Sequence, residues 1–132
     1  MVGETNLDKL LSTMSAKLVN GLYVFATISD GVVPDGVHPR MLFQEAEGTT
    51  LILLKEEAEA CNLAYEFPCR LITLNIHSSL EAVGFLARIT TALAKNDMGV
   101  NPVSGFYHDH LFVPDGREQD ALGVLSAFAT QA

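Results

Sequence analysis

The sequence has few basic residues and no long apolar run. Lys and Arg together number 8 against 16 Asp and Glu, so the formal net charge is -8. Such a chain repels the phosphates of nucleic acids and anionic lipid headgroups, which argues against either as a partner. No apolar run approaches the roughly 20 residues that a membrane-spanning helix needs.

Cysteine is also scarce. Cys61 and Cys69 are too few for a disulfide framework and form no CxxC pair. Two reduced thiols are typical of a cytoplasmic protein. The N-terminal stretch MVGETNLDKLLSTM has no basic start followed by an apolar run, so no signal peptide is predicted. We therefore expect a cytoplasmic location.

The signatures of common catalytic sites are missing. Ser104 lies in VSGF and not in a nucleophile elbow, and the glycines of DGVVPDG lack a phosphate-loop lysine. Neither cysteine lies in a nucleophile signature, and no two acidic residues have a spacing that indicates acid–base work. The sequence therefore predicts a protein that is not an enzyme and holds no cofactor.

What the chain does have is apolar sequence, at 48% of its residues with a mean hydropathy of +0.25. In the first half, an amphipathic helix near the N-terminus precedes a predicted turn at Asn20-Gly21 and an apolar strand from Leu22 to Ile28. A second hairpin turns at Glu47-Gly48, a short acidic helix begins near Lys55, and a strand follows. Pro68 is predicted to break the chain between the halves.

The second half begins with a strand from Leu71 to Ile76, and a helix with a regular apolar face follows. The apolar face of this helix consists of Val83, Leu86, Ile89, Thr90 and Leu93. Gly84 suggests that the regular helix begins later than Ser78, despite the capping-box spacing of Ser78 and Glu81. A hairpin and a last helix end the chain, so residues 70–132 have the order β-α-β-β-α, and the first half has the order α-β-β-β-α-β.

These orders predict an α+β fold with two ferredoxin-like βαββαβ units. We expect antiparallel sheets, each partly completed by the other unit. The predicted boundaries are 1–68 and 69–132.

A histidine pair in YHDHLFVP raises the question of a metal site. The period of two in a strand places His108 and His110 on one face and Asp109 on the other. Zinc needs at least one further protein ligand, which His77 could supply if the strands were adjacent. The alternative is that these are histidines at strand ends, solvated or bonded to backbone groups.

The stretch LEAVGFLARITTALAKNDMGVNPVS resembles the β-α-β core of ACT domains. Gly84 matches the glycine of the loop before the helix, and Gly99-Val100-Asn101 matches the entry into the second strand. The first half, with GLYVFATISDG and MLFQEAEGTTLILLKEEA, is similar to the N-terminal module of the same group. The chain as a whole resembles the tandem ACT domains in the regulatory region of aspartokinases.

The resemblance implies a stand-alone regulatory protein that binds an amino acid or similar small metabolite at a domain interface. It also implies a homodimer. The residues that it places at the ligand are Ser78, Ser79, Leu80, Val83, Gly84 and Asn101, to which we add Asp109 as a partner for an α-ammonium group or a basic side chain. The alternative function is a protein-interaction or structural module of ACT fold that binds no small ligand.

Overall fold

The computed structural model describes residue 3 and residues 5–129. The predicted units, 1–68 and 69–132, therefore extend beyond the described residues at both ends of the chain. Positions 1, 2 and 4 of the stretch MVGETNLDKLLSTM also lie outside the described residues. No helix within the described range is both long enough and apolar enough to cross a membrane.

The described elements confirm the predicted α+β class, and their order is the predicted one except that the two strands expected on either side of Pro68 are a single strand. In chain order they are α1 (Leu7–Thr13), β1 (Ala16–Ile28), β2 (Met41–Gln44), β3 (Thr49–Leu54), α2 (Lys55–Ala60), β4 (Tyr65–Leu74), α3 (Phe85–Ala94), β5 (Asn101–Ser104), β6 (Asp109–Pro114) and α4 (Glu118–Ala129).

The chain divides into two compact units that are not its two consecutive halves. The inserted unit is Gly21–Cys69, and the discontinuous unit combines the chain up to Asn20 with the chain from Arg70 onward. The predicted boundaries, 1–68 and 69–132, assigned the first twenty residues to the first unit. These residues pack with the second half because Leu10 and Leu11 of α1 are buried in the same core as Ile89 of α3.

Both units have the same strand order. In the inserted unit the strands lie side by side as β2-β3-β1-β4. In the discontinuous unit the order is β5-β6-β4-β1, so that the chain's first strand takes the place of a fourth. In the discontinuous unit, β4, β5, β6 and β1 correspond to the first, second, third and fourth strands of the inserted unit. Both units then have the spatial order second, third, first, fourth, as expected of two ferredoxin-like units.

In the discontinuous unit, α1, α3 and α4 contribute to a single apolar core. Ile89 and Leu93 of α3 and Leu125 of α4 are fully buried there, together with Leu111 of β6. Asn6 caps α1 by accepting a hydrogen bond from the backbone N–H of Lys9 at 3.0 Å. Burying each large aliphatic side chain contributes roughly 1.5–3 kcal/mol, so this core fixes the position of α3 relative to the strands.

In the inserted unit, the loop between β1 and β2 takes the place of a first helix. Its residue Val37 is buried in a small core with Leu51 and Leu53 of β3 and Ala58 of α2. The Glu57 carboxylate ties this loop to α2, because it accepts the backbone N–H of His38 at 3.0 Å.

Two predicted breaks in the strands are wrong. The Asn20-Gly21 turn does not form, since β1 runs through it with Gly21 at φ 122°. Pro68 does not interrupt β4, because the irregularity is taken up by Phe67 at φ 57° just before it. Bulges of this kind let a strand tolerate proline. Both irregular positions lie where a strand leaves one compact unit and enters the other.

Candidate functional site

A small cavity of about 160 Å³ lies at the N-terminal end of α3, within the discontinuous unit. It is lined by the loop from Ser78 to Gly84, the first turn of α3 and the β5–β6 hairpin. Five of the seven predicted ligand residues line it: Ser78, Ser79, Leu80, Gly84 and Asp109.

Among the described residues that line this cavity, Asp109 is the one acidic side chain. It is the first residue of β6, and strand alternation puts it on the same face as Leu111 and Val113, which are buried under the helices. Its exposed fraction is 6%. The structure thus places Asp109 in the lining of the cavity, on the strand face opposite the histidines, as the period of two predicts.

Two serine hydroxyls hold this carboxylate. Ser78 Oγ donates to Oδ2 at 2.9 Å, and Ser104 Oγ donates to Oδ1 at 2.7 Å. Ser104 reaches it because the hairpin register places Ser104 directly opposite Asp109. The backbone N–H of Gly105 closes the connecting loop by donating to the carbonyl of His108 at 2.9 Å.

Within residues 5–129, no cation pairs with Asp109. Among the described residues its polar contacts are the two hydroxyls alone, and it forms no ion pair. A carboxylate is almost never buried without a cation, because removing it from water costs several kcal/mol. Each carboxylate oxygen has accepted a single hydrogen bond and retains further acceptor capacity. The cavity therefore favours a positively charged guest.

The start of α3 forms another part of the lining. Gly84 is the N-cap residue, with φ 87° and ψ −3°, and no side chain caps the helix there. The backbone N–H groups of the first turn carry the positive end of the helix dipole and lack partners within the helix. This wall favours an anion, so the cavity has poles of opposite sign.

The loop before the helix is held by its own hydrogen bonds. Ser79 Oγ accepts the backbone N–H of Glu81 at 3.1 Å, and the carbonyl of Ser79 accepts the N–H of Ala82 at 3.0 Å. Ser78 is buried, with an exposed fraction of 8%, whereas the Leu80 side chain is 67% exposed. Ser79 thus stabilises the loop, and Ser78 is the serine whose hydroxyl reaches the carboxylate.

Two predicted ligand residues do not line the cavity. Val83 is 85% exposed and precedes the helix, which begins at Phe85, so Val83 also has no place on the predicted apolar face. Asn101 is exposed at the start of β5, opposite Phe112, and lies at the far end of the hairpin from Ser104.

Ser104 is a site residue that the sequence patterns and the ACT resemblance did not indicate. The signal was present in the predicted hairpin, since a short loop fixes which residues of two strands face each other. Counting back across that loop from Asp109 leads to Ser104.

The three histidines have other contacts. His110 Nδ1 lies 3.0 Å from the Thr73 hydroxyl, and the His77 ring lies 5.8 Å from that of Tyr107. The ring centroids of His108 and His110 are 6.5 Å apart. In the part of the chain that the structure describes, no group of three or more His, Cys, Asp or Glu side chains could hold a metal ion.

Comparison with known protein families gives two matches. Residues 2–70 match one model described as an ACT domain, and residues 66–127 match a second model with the same description. No curated protein matches the chain.

Solved structures with the same architecture include a protein of unknown function from Vibrio cholerae, described as a possible transport protein. It is 41% identical, with a TM-score of 0.85 over 95% of this chain and 97% of its own. An Agrobacterium tumefaciens protein is 19% identical, with a TM-score of 0.69 over 88% of this chain and 89% of its own. The regulatory subunit of aspartate kinase from Thermus flavus is 11% identical, with a TM-score of 0.65 over 86% of this chain and 96% of its own.

The last two likenesses show the fold alone, and they place the chain among structures that include an aspartate kinase regulatory subunit. The two family matches follow each other along the chain and together cover nearly all of it. The protein therefore belongs to the ACT-domain family and carries two ACT domains in tandem.

Proposed function

We propose that this protein is a non-catalytic regulatory sensor and that it binds a small amino acid in the cavity beside α3. The observation that supports this most strongly is the Asp109 carboxylate, which is buried without a cation and faces that cavity. An α-ammonium group is a cation with three hydrogen-bond donors, so it can use the acceptor capacity that the two serines leave.

The second pole of the cavity suits the other charge of an amino acid. The α-carboxylate would accept hydrogen bonds from the backbone N–H groups of the first turn of α3. Gly84 has no side chain to obstruct this approach. A molecule with both charges next to each other therefore complements the site better than a simple amine or a simple acid.

The volume of the cavity limits the side chain of the ligand. The cavity has a volume of about 160 Å³. This favours amino acids of the size of glycine, alanine and serine.

Regulation would follow from a shift in population. A ligand that bridges Asp109 and α3 stabilises the arrangement in which the loop, helix and hairpin surround it, and it disfavours any arrangement in which they separate. The size of that shift is set by the difference in affinity between the two arrangements.

Thermal unfolding with a panel of amino acids and matched analogues tests this proposal. We expect alanine to raise the Tm as RT ln(1 + [L]/Kd), whereas propionate, which lacks the ammonium group, and ethylamine, which lacks the carboxylate, leave it unchanged. If propionate is as effective as alanine, Asp109 does not recognise an ammonium group. Silence across all amino acids at millimolar concentrations favours the alternative, an interaction module of ACT fold without a small ligand.

Three further parts of the proposal concern organisation. Family matches to 2–70 and 66–127 support repeat units at 1–68 and 69–132, even though the packing units differ. Exposed aromatic side chains, including Phe43, Phe106 and Tyr107, support a homodimer, whose mass light scattering would measure. The free thiols of Cys61 and Cys69 support a cytoplasmic location.

A further inference from the structure

A second and larger concavity lies on the helical side of the discontinuous unit. It is an open groove of about 660 Å³ between α3 and α4, with Leu7 of α1 at one end. Along α3 it extends from Gly84 to Asn96, which is roughly 18 Å at 1.5 Å per residue. Val124 and Phe128 of α4 form the facing wall.

The charge of this groove is opposite to that of the protein. The described part of its lining contains Arg88 and Lys95 and no acidic side chain, in a chain of net charge -8. Both side chains are exposed, and within the described residues neither forms an ion pair. By contrast, Lys55, Arg70 and Arg117 each have a carboxylate partner.

The spacing of the two cations narrows the choice of ligand. Arg88 and Lys95 are seven residues apart, which is about 10.5 Å along the helix axis. A single carboxylate or phosphate group is too small to engage both. Two acidic side chains seven residues apart on a second helix have the same separation when that helix lies along α3.

The walls between the cations suit the apolar face of such a helix. Ala87 and Ala92 of α3 and Ala127 of α4 are small, so a second helix can approach the backbone closely, and Phe128 offers an apolar contact. An amphipathic helix in an apolar groove is a common mode of peptide recognition, with anchors at i, i+3, i+4 and i+7.

We propose that the groove between α3 and α4 docks an amphipathic helix of a partner protein. That helix carries two acidic residues seven positions apart and apolar residues midway between them. The carboxylates pair with Arg88 and Lys95, and the apolar residues lie between α3 and Phe128. This surface is the one by which the protein contacts the target that it regulates.

The groove shares a wall with the small cavity. Gly84 and Ala87, in the first turn of α3, line both of them. A ligand that hydrogen-bonds to this turn from the cavity side also fixes the wall of the groove. This step rests on the proposed function, whereas the docking surface itself does not, and the two can fail separately.

A designed peptide tests the docking surface in the intact protein. The probe is a fluorescent helix of about 14 residues with two glutamates seven positions apart and two leucines midway between them. We expect fluorescence anisotropy to show binding that weakens as salt is raised, since exposed ion pairs are screened. A peptide with lysines in place of the glutamates should bind at least about tenfold more weakly.

Charge reversal on the protein provides the decisive comparison. The double variant Arg88→Glu, Lys95→Glu should lose the acidic peptide by about tenfold or more and gain the lysine peptide. The control, Lys17→Glu, reverses an exposed charge on β1 of the same unit and should leave both affinities unchanged. Circular dichroism of each variant establishes that the fold is retained.

Other occupants of the groove would give different results in these binding experiments. Equal binding of both peptides, or a double variant that behaves like Lys17→Glu, would overturn the proposal. So would a change from dimer to monomer in the double variant, which would assign the groove to a second copy of the chain. If dodecanoate displaces the acidic peptide, and reversing only one of the two cations abolishes dodecanoate binding, the groove would be assigned to a lipid. Adding alanine tests separately whether the small cavity and the groove are coupled. If alanine leaves the affinity for the peptide unchanged, only the inference about the shared wall is refuted.

Discussion

Replacing Asp109 by asparagine separates a ligand-binding carboxylate from a structural one. Asparagine keeps the shape of the side chain and removes its charge. In the ligand-free protein, two charge-assisted hydrogen bonds weaken, each contributing about 1.5–3 kcal/mol, while a buried charge that costs several kcal/mol disappears. These effects oppose each other, so we expect the free energy of unfolding to change by less than about 1 kcal/mol, or roughly 4 °C in Tm.

We expect Asp109→Asn to change the free energy of ligand binding more than the free energy of unfolding, because no opposing gain offsets the lost pairing with the ligand. Removing one partner of a buried charge pair costs about 2–5 kcal/mol, so the ligand's Kd should rise by roughly 30-fold or more. At ten times its Kd, a ligand stabilises the unaltered protein by about 1.4 kcal/mol. The same concentration should stabilise the Asp109→Asn variant by less than about 0.2 kcal/mol.

Calorimetric titration and thermal unfolding with alanine measure the two quantities independently. The control is Asp120→Asn, which makes the same chemical change at an exposed aspartate paired with Arg117. It should retain the full response to the ligand. Our reasoning is refuted if Asp109→Asn binds alanine within threefold of the unaltered protein. It is equally refuted if the ligand-free variant loses several kcal/mol of stability, because the carboxylate would then be a structural hydrogen-bond acceptor.

Three further substitutions test the backbone, the packing and an ion pair at separate places in the two units, by urea unfolding. Gly84→Ala should cost about 1–2 kcal/mol through its φ of 87° alone, since the added Cβ would lie at an ordinary 3.7 Å from Leu7; an unchanged stability would mean that the turn relaxes. Gly48→Ala should cost about 1–3 kcal/mol for a different reason, because its Cβ would lie only 2.8 Å from the Thr27 hydroxyl, and a neutral result would contradict that close approach. Glu118→Gln should cost more than Asp120→Asn, about 1–3 against less than about 1 kcal/mol, because the ion pair of Glu118 with Arg70 is about four-fifths buried. Equal costs would show that burial does not strengthen the pair.

Local patterns were sufficient to predict the order of elements and the face on which Asp109 lies. Alternation along HDHLFVP separates Asp109 from the histidines whatever the rest of the chain does. The glycine at position 84 likewise indicated that the regular helix starts late, and the helix begins at Phe85. Such features depend on neighbours within a few residues, which a single sequence displays.

Features that depend on distant contacts were not predictable in this way. Asn20-Gly21 is a turn sequence, but pairing of β1 with strands on both sides outweighs that preference. Val83 falls on the apolar face of an ideal helix drawn through the loop, yet the loop is not helical there. The grouping of the first twenty residues with the second half left no local signal at all, since it is decided by the core that Leu10 and Leu11 enter.

That grouping has a consequence for synthesis of the protein. The residues up to Asn20 are synthesised before the strands and helices that they pack with, which begin only at Arg70, fifty residues later. At about 5–20 residues per second the ribosome needs roughly 3–10 s to reach Arg70 after Asn20. During that interval the inserted unit can complete its own strands, while Leu10, Leu11 and Met14 have no core to enter. These apolar residues of the first helix and its C-terminal end therefore wait several seconds for their core, and during that time they are available to chaperones.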